Sequence, residues 1–223
     1  MSTPRLGHRL VSEFVGTGVL SLTIVGTGIQ MFALTQSVGI THLSIAVAVG
    51  AVLAMVVALG LPISGANFNP VTTLTVALVE GARDYGRIAM YMVAQTLGAI
   101  VGVMTANILW DSTLVSFSTS TAEPSLNLLL SEVIATGGLM FLIVVMVARR
   151  TPTKLIWVLP AWVIPAVLFT PSGTWANPAI TVARFFTDSF TGAPAGFVLP
   201  YVAAQVVGGL AVVVVWWVIR RTR

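Results

Sequence analysis

Apolar residues in this chain come in long blocks, and the breaks between blocks hold nearly all of its charge. Six blocks reach or approach the roughly 20 residues that a helix needs to cross a bilayer. They lie at 10–34, 42–61, 88–110, 126–148, 155–170 and 196–219, the fifth being short and carrying Pro160 and Pro165. Two further segments, 62–82 and 171–195, are too short to cross and too apolar for free loops. Each is centred on Asn-Pro, and Asn as N-cap followed by Pro at the first helical position is a helix start signal. Each segment therefore predicts a re-entrant half-helix, beginning at Asn69 or Asn177. Irregular backbone at membrane depth survives only where it is buried or lines a wet cavity.

The two halves repeat each other. SEFVGTG at 12–18 resembles SEVIATGG at 131–138, and AQTLGA at 94–99 resembles AQVVGG at 204–209. SGANFNPVTT at 64–73 matches SGTWANPAIT at 172–181 at five of ten positions. Each half holds three spans, so the second copy enters from the opposite side and the repeat is inverted. The prediction is an all-α membrane protein: six transmembrane helices plus two half-helices in one channel domain, with halves at about 8–110 and 126–220. Gly98 with Gly102, and Ala204 with Gly208, have the small-xxx-small spacing of close helix crossings.

Composition sharpens this reading. The 223 residues are 57% hydrophobic and 8% charged, with mean hydropathy +0.97. A soluble domain carries about 25% charged residues, so a soluble globular chain is excluded. The pI near 10.4 would suit nucleic acid, but no basic stripe runs along any segment and no nucleic-acid partner is expected. Ten of the eleven Lys and Arg residues fall in breaks on one side of the six spans; Arg184 is the exception. By the positive-inside rule both termini are cytoplasmic. There is no cysteine, and two histidines with seven scattered carboxylates suggest neither a metal site nor a cofactor.

The paired Asn-Pro boxes in inverted halves, the Glu in spans one and four, and the Gln-containing starts of spans three and six resemble the aquaporin and aquaglyceroporin (major intrinsic protein) family. The resemblance covers essentially the whole chain. It implies a passive membrane channel, not an enzyme, with no catalytic residue. Water and small neutral solutes would be its partners, in a homotetramer of one pore per subunit set in a lipid bilayer. Half-helix N-termini carry roughly half an elementary charge each, and two meeting at the midplane repel cations. Asn69 and Asn177 would each offer an NH₂ donor to a passing oxygen, which interrupts a proton wire; the duller alternative is that both only cap helices. Pro70, Val71, Pro178 and Ala179 complete the boxes as packing residues, Val71 standing where Ala is usual.

Ionisable groups inside spans are functional candidates by default, but the resemblance gives Glu13 and Glu132 a structural role, accepting hydrogen bonds from the re-entrant loops. It places the outer filter at Val49, Pro165, Thr174 and Ile180, with Ile180 where Arg is common. That filter would be wider and more apolar than a water-selective one. Arg184 would either ring an outer vestibule or pair with Asp188 at i+4. Asn67 stands at the cytoplasmic mouth, where the family often has His. The stretch ANPAITVARFFTDSF is similar to a bacterial subgroup that lacks the filter Arg and is associated with arsenic resistance, which implies the cell membrane of a bacterium. Glycerol-like polyols, neutral arsenous acid or organic arsenicals are then the solutes implied. The rival readings are a strictly water-selective channel, a secondary transporter and a non-conducting junction protein.

Overall fold

The computed structural model describes residues 4–221. Arg223, counted above among the cytoplasmic charges, lies outside them. Among the described residues all regular secondary structure is helical, with no strand. The helices are α1 (Leu6–Thr35), α2 (Val38–Gly60), α3 (Pro70–Glu80), α4 (Tyr85–Leu109), α5 (Leu126–Ala148), α6 (Leu155–Phe169), α7 (Pro178–Ala183) and α8 (Ala195–Arg221). All but α3 and α7 belong to segments long and apolar enough to cross a membrane, α6 with the short 3₁₀ turn Pro152–Lys154 before it. The two half-helices start where the Asn-Pro signal puts them, with Asn69 and Asn177 as N-caps and Pro at N1.

The half-helices differ in length. At a rise of about 1.5 Å per residue, α3 spans half a bilayer core, whereas α7 ends after six residues in a 3₁₀ turn, Arg184–Phe186. The loop after it folds back: the Ala193 N–H donates to the Arg184 carbonyl at 2.9 Å and occupies an acceptor that a continuing helix would use. Pro160, Pro165 and Pro200 sit inside helices that remain continuous.

Each half-helix packs on the other half's spans as well as its own. Helix α3 rests on α5 and α8, and α7 on α1 and α4. The halves are therefore interlocked. Lipid supplies no hydrophobic drive between helices, so close backbone approach must do that work. Between α1 and α4 the approach is extreme. A Cβ on Gly98 would fall on the backbone carbonyl of Phe14, one on Gly102 on the carbonyl of Gly18, and one on Gly18 would lie 2.9 Å from the Gly98 oxygen. In the other half a Cβ on Gly208 would sit 2.6 Å from the Val133 oxygen, while one on Gly137 would sit at an ordinary 3.5 Å from the Gly208 oxygen.

These distances sort the glycines. Gly98→Ala must push α1 off α4 and is expected to cost about 1–3 kcal/mol, the range for overpacking. Gly137→Ala should be close to neutral. Thermal melting of the detergent-purified variants checks the contrast; equal melting temperatures would mean that α1 and α4 are not held by backbone contact.

Candidate functional site

The loops leading into the half-helices have an unusual backbone. Gly65, Ala66 and Phe68 have φ of 92°, 53° and 50°; Gly173, Thr174 and Ala176, at the equivalent places, have 69°, 50° and 47°. Four of these six are not glycine, and a left-handed conformation costs a non-glycine residue about 1–3 kcal/mol. Buried carboxylates hold it in place. Glu13 accepts from the backbone N–H of Asn67 (3.1 Å) and Phe68 (2.6 Å) and from Gln95 Nε2 (2.8 Å). Glu132 accepts from the N–H of Trp175 (2.9 Å) and Ala176 (2.8 Å) and from Gln205 Nε2 (2.7 Å). Both glutamates are wholly buried. Each glutamine also donates to a half-helix hydroxyl at 2.9 Å, Gln95 to Thr73 and Gln205 to Thr181.

The asparagines tie the halves together. Asn69 Oδ1 accepts from the Val71 N–H at 2.9 Å, and Asn177 Oδ1 from the Ala179 N–H at 3.0 Å. Asn69 Nδ2 donates to the Ala176 carbonyl (2.7 Å), and Asn177 Nδ2 to the Phe68 carbonyl (2.8 Å). An amide nitrogen has two protons, so one N–H of each remains for the cavity that both residues line. Around them the boxes are close-packed. Pro178 and Ala179 are buried, Val71 fills the space where Gly209 has no Cβ, and Phe68 lies in a hollow floored by Gly16 and Gly60. Pro70 is half-buried at the start of α3.

The cavity has a volume of about 920 Å³, and its lining extends from one end of the spans to the other. On the side of the termini it is lined by Arg9, Asn67 and Arg150; on the far side by His42, Trp175 and Arg184. Of the four residues set at the outer filter, Val49, Thr174 and Ile180 line the cavity. Pro165 does not: it is exposed on the outer face of α6. Leu155, Leu159, Val163 and Val167 are the residues of α6 that line the cavity, at four-residue spacing. Pro165 lies two residues from Val163 and Val167, about 200° around a helix at 100° per residue, so it points away from the lining face that Val163 and Val167 share.

Arg184 does not pair with Asp188. Helix α7 ends at Ala183, so the two residues do not share a helical face. Instead Arg184 Nε donates to the Thr191 carbonyl, and its guanidinium carbon lies 3.6 Å from the centre of the Trp175 ring. Among the described residues no group of three His, Cys, Asp or Glu is placed to hold a metal ion. Sequence reasoning missed His42, Trp175, Val163 and Val167. The four-residue repeat of branched side chains in the fifth span was the available signal for the two valines.

Residues 1–170 match the model of the family described as Major intrinsic protein. The chain is 33% identical over 219 residues to the aquaglyceroporin AqpS of Rhizobium meliloti, a match covering 98% of this chain and 93% of that protein. It is 35% identical over 98 residues to nodulin-26 of Glycine max, covering 44% of this chain and 33% of that protein. Among solved structures it is similar to the aquaglyceroporin from Plasmodium falciparum, with a TM-score of 0.75 and 20% identity, over 95% of this chain and 96% of the other. At that identity the likeness shows the fold.

The carboxylate ties can be tested one at a time. In Glu13→Gln or Glu132→Gln, three donors face a side chain with one acceptor oxygen, leaving a buried donor unpaired at a cost of about 1–3 kcal/mol. Each variant should melt well below the wild type, and by similar amounts because the two sites are equivalent. Unchanged melting would show that the carboxylates do not hold the loops.

Proposed function

Because this chain belongs to the major intrinsic protein family of membrane channels, we propose that it conducts small uncharged solutes passively, together with water. Glycerol-like polyols are the first class, and neutral arsenous acid or organic arsenicals the second. The observation that carries this reading is an apolar stretch of the cavity wall, which would form its neck. Val49, Val167 and Ile180 surround the cavity beside Thr174, with no charged group among them. A solute with carbon on one face and oxygen on another gives up less there than an ion does. Deeper in, α3 and α7 bring their N-termini together, each with partial positive charge. The free N–H of Asn69 and of Asn177 face one cavity, so an oxygen accepting from both turns its protons outward and breaks a proton wire. Pro70, Val71, Pro178 and Ala179 support the midplane by packing.

The chain acts as one channel domain with halves at about 8–110 and 126–220. Both termini face the cytoplasm of a bacterium, on the side of Arg83, Arg87, Arg149, Arg150 and Lys154. Asn67 then lines the inner vestibule and Arg184 the outer one, and four copies assemble with one pore each. Glycerol-class solutes also suit the word aquaglyceroporin in the name of the Rhizobium relative. A coupled transporter would need an ionisable group free to exchange a proton or ion. Glu13 and Glu132 each already accept three hydrogen bonds, which favours structure over coupling. A strictly water-selective pore is disfavoured by the apolar neck.

Stopped-flow light scattering on proteoliposomes, with water, glycerol, urea and arsenous acid, tests the reading. Glycerol should cross faster than in protein-free vesicles and independently of ion gradients; no excess flux of any solute would contradict it. Ile180→Arg tests the neck. A long cationic side chain there narrows the bore and holds water strongly, so the ratio of glycerol to water permeability should fall about tenfold or more. An unchanged ratio with normal insertion would remove Ile180 from the constriction.

A further inference from the structure

The end of the cavity on the side of the termini carries more positive charge than the chain neutralises. Its charged lining residues are Arg9, Arg87 and Arg150, set against Glu80. Arg9 and Arg87 converge on one ring. The Arg9 guanidinium carbon lies 5.8 Å from the centre of the Tyr91 ring. Arg87 stands four residues before Tyr91 on α4, on the same helical face, and the charges of Arg9 and Arg87 both act on the Tyr91 phenol. That ring is buried and held, because its hydroxyl donates to the Ser64 carbonyl at 3.1 Å.

Two guanidinium groups beside one ring repel each other unless an anion lies near both. The chain supplies little. Glu13 also acts on Tyr91, but its oxygens are taken by Asn67, Phe68 and Gln95. Arg87 meets Asp84 at 3.8 Å, a long and partly exposed pair of the kind that contributes little. Among the described residues Arg9 and Arg150 have no ion pair, and the Arg9 Nε is buried without an acceptor. We propose that Arg9 and Arg87 form an anion site beside Tyr91 that takes a phosphate group, and that the bound phosphate closes this end of the cavity. A phosphate monoester at neutral pH carries close to two negative charges and three acceptor oxygens, which suit two arginine forks at once. Arg150, lining the same end, adds to the attraction. Both arginines line the cavity rather than the lipid face, which favours free phosphate or a phosphate ester over a lipid headgroup. The solutes proposed above are uncharged, so the block is steric. Closure rests on the channel reading; the anion site does not.

The experiment has two readouts. In thermal melting of the detergent-purified protein, inorganic phosphate should raise the melting temperature saturably over chloride at equal ionic strength. In Arg9→Met and in Arg87→Met its apparent Kd should rise about tenfold, the loss of one charged hydrogen bond. Arg5→Met, exposed and outside the cavity, should bind as the wild type does. A shift that survives undiminished in both cavity variants is a general salt effect and overturns the site. If Arg9→Met fails to fold, Arg87→Met decides by the same criterion. Stabilisation by phosphatidic acid in mixed micelles, with none by inorganic phosphate, would overturn the free-phosphate site in favour of a lipid headgroup. In phosphatidylcholine proteoliposomes with phosphate on both faces at about ten times its Kd, glycerol flux should fall about tenfold in the wild type and only about twofold in Arg9→Met, following the fraction of sites filled. An unchanged wild-type flux with phosphate bound overturns the closure. Wild-type vesicles that pass no glycerol at all would contradict the channel reading instead, and the melting titration still decides the site.

Discussion

Each re-entrant loop hangs on one buried carboxylate. Backbone that leaves a helix inside a membrane has no water to satisfy its polar groups, and each orphan costs several kcal/mol. Glu13 and Glu132 meet that demand with the same geometry, two backbone N–H groups and one glutamine amide each. The N–H groups they hold belong to residues within or beside the left-handed stretch. That stretch in turn aims the Phe68 and Ala176 carbonyls at the opposing asparagines. Remove the carboxylates and the cross-ties lose their acceptors' fixed positions. The meeting of the two half-helices, and with it the midplane, depends on this arrangement.

The surrounding helices make the arrangement rigid. Helices α1 and α4 touch backbone to backbone at Gly18, Gly98 and Gly102, which brings Glu13 and Gln95 within one hydrogen bond of each other. The crossing of α5 and α8 at Gly208 does the same for Glu132 and Gln205. Packing of each half-helix on spans of the other half adds the interlock. Glycine spacing along the spans is therefore tied to the site: it sets how closely the carboxylate and its glutamine approach.

Much of this was legible in the sequence because lipid and symmetry restrict the choices. Block length gave the spans, Asn-Pro gave the starts of both half-helices, and the duplicated boxes gave the inverted repeat. The four residues set at the outer filter were less readable. Three line the cavity, but Pro165 faces outward, because counting along a family pattern does not fix a helix's rotation and the spacing of Val163 and Val167 does. The Arg184–Asp188 pair failed for a related reason: i+4 spacing matters only if the helix continues, and a returning loop stops α7 at Ala183. The bonds from Asn69 to Ala176 and from Asn177 to Phe68 join residues more than a hundred positions apart, and no local pattern announces them.

If, as proposed, two helix N-termini and two amide donors keep the midplane positive, only neutral solutes cross. Asn69→Asp and Asn177→Asp test it most directly. Aspartate still caps a helix, but it puts a carboxylate where the native chain has a donor. Planar-bilayer recordings under voltage clamp should show a cation current in each variant that the wild type lacks. Two variants that insert normally and stay electrically silent would contradict the account.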